Sequence, residues 1–147
     1  MARNCGRFGR GLVRKINGES DMRFIIHAET PSKKNSRITL KSGRTIPNKK
    51  FMQWHKEAMA EIAPQLLLMR DFAKVDYPVK IVCEFVHGEN IRRDSDNQLS
   101  SILDLLQDCG ILEDDCWKIC RELEVKNSFE KNNAMAIIEI KKMEENA

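Results

Sequence analysis

The chain has 147 residues, 41% hydrophobic and 32% charged, too apolar for a disordered polymer. It has no window near the roughly 18 uninterrupted apolar residues that a membrane-spanning helix needs, and its length suits one domain with its own core. Five cysteines, an odd number, and no apolar leader argue against a secreted disulfide scaffold and for a reducing cytoplasm.

The formal charge of +3 conceals an asymmetry. Up to Lys56 fourteen Lys and Arg stand against three Asp and Glu; beyond it eleven stand against nineteen. Such a split suits a polyanionic partner gripped by one region while cations gather in another, although a solvated basic surface has the same composition.

Residues 1–21, "MARNCGRFGRGLVRKINGESD", are basic and glycine-rich, and read as a mobile arm with packed structure beginning at Met22. "MRFIIHA", 22–28, predicts a strand with Phe24, Ile26 and Ala28 facing one way. "ETPSKKNSRITLKSGRTIP" mixes turn formers with Lys33, Lys34, Arg37, Lys41 and Arg44, and predicts a long basic loop or short ribbon. A helix capped by Asn48 should run to about Ala63, with Phe51, Trp54 or His55, Ala58 and Ile62 as its apolar stripe and Pro64 as its stop.

"VKIVCEFVH", 79–87, is apolar on both faces and β-branched, as a central strand should be. Leu99, Ile102, Leu103 and Leu106 mark a helix from Asp96 to Cys109 that Gly110 stops. "WKICRELEVK" and "AMAIIEIKK" read as two further strands, joined by "NSFEKNN" with hairpin character. The order β-α-β-α-β-β predicts an α/β fold, a small mixed sheet with helices packed mainly on one face.

Asp94 and Asp96 flank a strand-to-helix loop, and Asp114 and Asp115 follow one helix and a turn later. If the chain returns to the strand end it left, three or four carboxylates converge, repel one another and need a cation between them. Arg92 and Arg93 could serve. Hard oxygen ligands grouped this way also suit Mg²⁺, or Mn²⁺ in its place. An EF-hand loop starting at Asp94 would need Gly and Glu where Leu99 and Leu105 stand, so it fails. Helix capping explains one aspartate of the set, and Asp104 and Asp108 read as solvated. Cys109, Cys116 and Cys120 cluster, but without the close pairing of structural zinc modules, so buried thiols are expected.

The stretch "RRDSDNQLSSILDLLQDCGILEDD" resembles the RusA-like family of Holliday junction resolvases, whose pattern is Arg-rich R-D-x-D-N, a helix with Asp-x-Leu, a Gly and then paired Asp. "TPSKKNSR" and "GRTIP" resemble that family's basic loop, and the likeness runs from about Met22 to Lys141, within a domain of residues 22–147. The resemblance implies a Mg²⁺-dependent endodeoxyribonuclease that resolves four-way DNA as a homodimer. Asp94, Asp96 and Asp115 would be its catalytic metal-binding carboxylates, with Asp114 and Asn97 in support. Lys33, Lys34, Arg37, Arg44, Arg92 and Arg93 would grip phosphates. Ser100 stands where many members carry a catalytic lysine, so either Lys33, Lys34 or Arg93 supplies that charge, or the chain binds branched DNA without efficient cleavage.

Overall fold

The computed structural model describes residues 13–16, 19–32, 37–47, 49–69 and 72–144. Strands β1 (Val13–Ile16), β2 (Glu19–Ile26), β5 (Val79–His87), β6 (Cys120–Phe129) and β7 (Met135–Lys142) form one mixed sheet in the order β1-β2-β7-β5-β6. Strands β3 (Arg37–Thr39) and β4 (Thr45–Pro47) form a separate two-stranded ribbon, which turns at Gly43 with φ of 87°. The basic stretch between strand and helix is thus partly a ribbon. Helices α1 (Lys49–Leu67) and α2 (Ser95–Asp108) complete the α/β fold.

Both helices pack on one face of the sheet, because the strands concentrate their apolar residues there. Pairing brings Phe24 beside Ile138 and Ile138 beside Cys83, with Met22, Ile140 and Ile81 in the next row. Onto these rows α1 lays Phe51, Trp54, Ala58 and Ile62, and α2 lays Ile102, Leu105 and Leu106, all buried. The apolar stripe of α1 therefore takes Trp54 and leaves His55 half-buried beside it. The opposite face carries ion pairs such as Lys80–Glu124 at 2.9 Å and Arg23–Glu139 at 3.8 Å.

Three expectations change. The sheet begins before Met22, since β1 pairs with β2 from Val13↔Met22 to Ile16↔Glu19 and so recruits part of the basic arm. The last two strands are not a hairpin: β5 lies between them, parallel to β6 and antiparallel to β7. The linking loop crosses the end of β5, where Glu130 and Asn132 donate backbone hydrogen bonds to the carbonyls of His87 and Gly88. A Cβ on Gly88 would meet Ala134 at 3.1 Å, so a side chain there would press on the crossing loop.

Third, α1 runs through Pro64 to Leu67. Proline removes one helical hydrogen bond, but the next residue compensates. Gln65 accepts from the Ile25 N–H at 3.1 Å and donates to the Ile25 carbonyl at 2.9 Å and to the Glu61 carbonyl at 3.0 Å. Glu61 accepts from the His27 N–H at 3.0 Å. These side chains cover the edge that β2 exposes once β1 has ended, a device that also blunts edge-to-edge association. Gln65→Ala should therefore destabilise the chain by about 1–2 kcal/mol in urea unfolding, whereas Leu68→Ala, at an exposed position, should change it little.

Candidate functional site

The carboxyl ends of β2 and β5 and the amino ends of both helices meet at one edge of the molecule, the place where open α/β sheets bind ligands. Glu29, three residues past β2, is the hub. Its Oε2 lies 2.9 Å from His87 Nδ1 at the end of β5, 3.0 Å from the donating Gln98 amide on α2, and 3.5 Å from Arg93 Nε. His87 Nε2 in turn lies 2.8 Å from Asn127 Oδ1 on β6, and the Asn127 amide donates to Ser95 Oγ at 3.0 Å. Gln98 also donates to the Thr30 carbonyl at 2.6 Å, and Ser101 to the Pro31 carbonyl at 2.7 Å. The segment after β2 is thereby fastened to the first turns of α2.

Against this frame opens a cavity of about 630 Å³, lined by Glu29, Lys50, Trp54, Arg92, Asp94 and Gln98 among others. Asp94 is the residue preceding α2, with φ −91° and ψ 113°, and its carboxylate makes no capping hydrogen bond. The capping alternative is thus not realised at Asp94, whose side chain stays exposed with no cation or donor among the described residues. Asp96 is exposed in the first turn of α2, where the helix dipole favours an acid. Asn97 is half-buried behind it and Ser100 is exposed one turn on.

The expected convergence of Asp94, Asp96 and Asp115 does not occur within one chain. Helix α2 carries the chain away from the end of β5, and β6 starts beside the beginning of β5, with Val79 paired to Cys120. Asp114 and Asp115 precede that start, and their charges bear on the Cys120 thiol. The Asp114 carboxylate accepts the Asp115 N–H at 2.7 Å. Fourteen residues of α2 place the two acidic pairs on the order of 20 Å apart. Among the described residues no group of three His, Cys, Asp or Glu side chains is placed to hold a metal. Mg²⁺ commonly takes only one or two protein carboxylates together with substrate phosphates and water. Asp94 lines the cavity and could supply one such carboxylate; Asp96 is not among the lining residues, and no three-carboxylate cage forms among the described residues.

The cations divide. Arg93 lies against Glu29 and, at 3.7 Å, Glu89, so it is committed to the protein's own carboxylates. Arg92 is exposed on the cavity rim with no carboxylate partner among the described residues, and Arg44 is exposed on the ribbon. Lys33 and Lys34 lie outside the described residues, as does Asn48, and of Arg37 only the strand position is described. Lys50 was not foreseen. It lines the cavity from the first turn of α1, where no acidic residue stands and the dipole disfavours a cation. That unfavourable placement was the available sequence signal; nothing local marked Glu29, His87 or Asn127. Asp108 is exposed as expected, with Oδ2 2.8 Å from His55 Nε2, whereas Asp104 is half-buried rather than solvated.

Cys83, Cys109 and Cys120 are quiet thiols. Burial pushes Cys83 up to about 12; burial together with neighbouring aspartates pushes Cys109 and Cys120 from 9.0 up to about 11. A raised value leaves less thiolate at a given pH. Iodoacetamide should therefore modify Cys120 at pH 8 about a hundredfold more slowly than a thiol of the ordinary value, read by peptide mass spectrometry. No protein-family model matches the chain, and no curated protein sequence matches it.

Proposed function

We propose that the chain is a Mg²⁺-dependent, structure-selective endonuclease that cuts four-way DNA as a two-fold homodimer in the cytoplasm. The observation that supports it is the unpartnered Asp94 carboxylate in a cavity rimmed by Lys50 and Arg92, two cations with no carboxylate partner among the described residues. Asp94 and Asp96 would hold the metal. When bound, Mg²⁺ supplies acidity to a bound water and neutralises phosphate charge.

The chain's own residues do the rest. Lys50 and Arg92 hold the phosphate on the cavity rim, and Lys50 supplies from α1 the positive charge that Ser100 does not. The Glu29 network keeps the loop carrying Asp94 in register with α2. Ribbon and loop cations, including Arg44, grip neighbouring phosphates, so affinity falls steeply with salt. A four-way junction is nearly two-fold symmetric, and paired cuts call for two sites related by a dyad. Since Asp115 sits at the far end of α2, it joins Asp94 and Asp96 only when a second copy brings it there.

A second reading, a branched-DNA-binding protein without efficient cleavage, draws on that same separation of Asp115 and on Ser100. A labelled four-way junction with Mg²⁺ distinguishes the two. Symmetric paired nicks, lost in EDTA and in Asp94→Asn while junction binding persists, are expected. Tight binding without nicks in any divalent metal would favour the second reading. The dimer is tested by mixing Asp94→Asn and Asp115→Asn proteins, each inactive alone. Mixed dimers should recover nicking of one strand, and a mixture that stays inactive would remove Asp115 from the site.

A further inference from the structure

We propose that β6 is an interface for a second copy of this chain: two β6 strands pair antiparallel about a dyad at Val125, so that the two five-stranded sheets run on as one. The role this gives Asp115 rests on the function proposed above; the pairing itself rests on the strand.

Strand β6 stands last in the sheet, bonded to β5 on one side and, among the described residues, to no strand on the other. A long open edge is a template for another strand unless proline, a bulge or a covering segment blunts it. From Glu122 to Phe129 the strand follows β5 without a register shift and contains no proline. The open edge of β2, by contrast, is covered by Gln65 and Glu61. Apolar groups also collect along β6. Leu123 and Phe129, on the face that turns Val125 toward the core, are 45% and 56% exposed. Trp117, just ahead of the strand, is 70% exposed, with the Arg121 guanidinium 5.8 Å from its ring centre.

Backbone direction and charge select the strand that completes this edge. The Glu130 N–H donates to the carbonyl of His87, the residue that pairs with Phe129. In a parallel ladder this leaves the backbone groups of Phe129, and by alternation those of Asn127, Val125 and Leu123, directed outward. Centred on Val125, an antiparallel pair sets Val125 against itself, Leu123 against Asn127, and Glu124 against Lys126 on both sides of the axis. Centred on Leu123 it sets Glu122 against Glu124, and centred on Asn127 it sets Glu124 against Glu130. Centred on Glu124 or Lys126 it sets that charge against its own copy. Opposite charges directly across an antiparallel pair stabilise it and like charges oppose it, so of these registers the strand complements itself only about Val125. In that register Phe129 of the second copy comes beside Arg121, toward the Trp117 ring, and the exposed aromatic groups gain cover.

The antiparallel pair also carries the start of one β6 to the finish of the other. Near the finish, the Asn127 amide donates to Ser95 at the first residue of α2, next to Asp96. Asp115 lies shortly before the start of β6. Each copy thereby delivers its Asp115 to the edge of the other that holds Asp94 and Asp96.

Sedimentation equilibrium of the full chain at micromolar concentration should show a dimer; a chain that stays monomeric overturns the interface. Glu124→Lys and Lys126→Glu each set like charges across the pair and should weaken dimerisation at least tenfold. Mixed in equal amounts, the two variants regain both Glu–Lys contacts and should form heterodimers close to the parent in affinity. Variants that dimerise as the parent does, or a mixture that stays apart, overturn the register.

Glu124→Lys also meets Lys80 within its own chain. If it does not fold, mixed Glu124→Cys and Lys126→Cys proteins decide. Their Cα atoms would face each other at about 4.5 Å, within disulfide reach, so mild oxidation should join 124 of one copy to 126 of the other, read by peptide mass spectrometry. No such link overturns the pairing. Junction cleavage by a chain without this interface would leave the nuclease in place and remove the pairing; β6-paired dimers that cut no junction would do the reverse.

Discussion

A single carboxylate oxygen, Glu29 Oε2, holds the functional edge together. It draws in His87 from β5, Gln98 from α2 and Arg93 from the loop between them, and so fixes the exit of one strand against the entry of a helix. Hydrogen bonds to an ionised acceptor are roughly twice as strong as neutral ones, which makes this hub stiffer than surface ion pairs elsewhere on the sheet. Because Glu29 and Arg93 neutralise each other, the charges left over at the cavity are Asp94 on one side and Lys50 and Arg92 on the other.

The crossover from β5 through α2 to β6 imposes the second constraint. In a parallel crossover the helix runs against the strands, so whatever precedes it and whatever follows it stand at opposite ends of the sheet. The pairing of Val79 with Cys120 leaves the chain no other course. Asp94 and Asp115 are separated by the same connection that makes them near neighbours in sequence.

The edge of β2 illustrates how the two regions depend on each other. Gln65 and Glu61 secure α1 to Ile25 and His27 just before the chain reaches Glu29. The same helix presents Lys50 and Trp54 to the cavity from its first turns. A helix that stopped at Pro64 would lose the anchor that sets its angle.

Local pattern alone specified a good deal of this molecule: the alternation that makes β2 and β7 strands, the unbroken apolar run of β5, and the stripe of α2 ended by Gly110. It also marked Asp94 and Asp96 as a strand-to-helix pair, because these features depend on residues within a turn or two of one another. Strand order was beyond its reach. "NSFEKNN" has the composition of a hairpin turn, yet the backbone N–H and C=O groups on both edges of the buried strand β5 are satisfied only when β6 and β7 lie on either side of it. The gathering of Glu29, Lys50, Trp54 and Gln98 at one cavity, with His87 bonded to Glu29 behind them, and the exile of Asp115 from it, were likewise settled only by tertiary structure, since contacts between segments 30 to 70 residues apart come from sheet pairing and helix packing rather than from any periodicity along the chain.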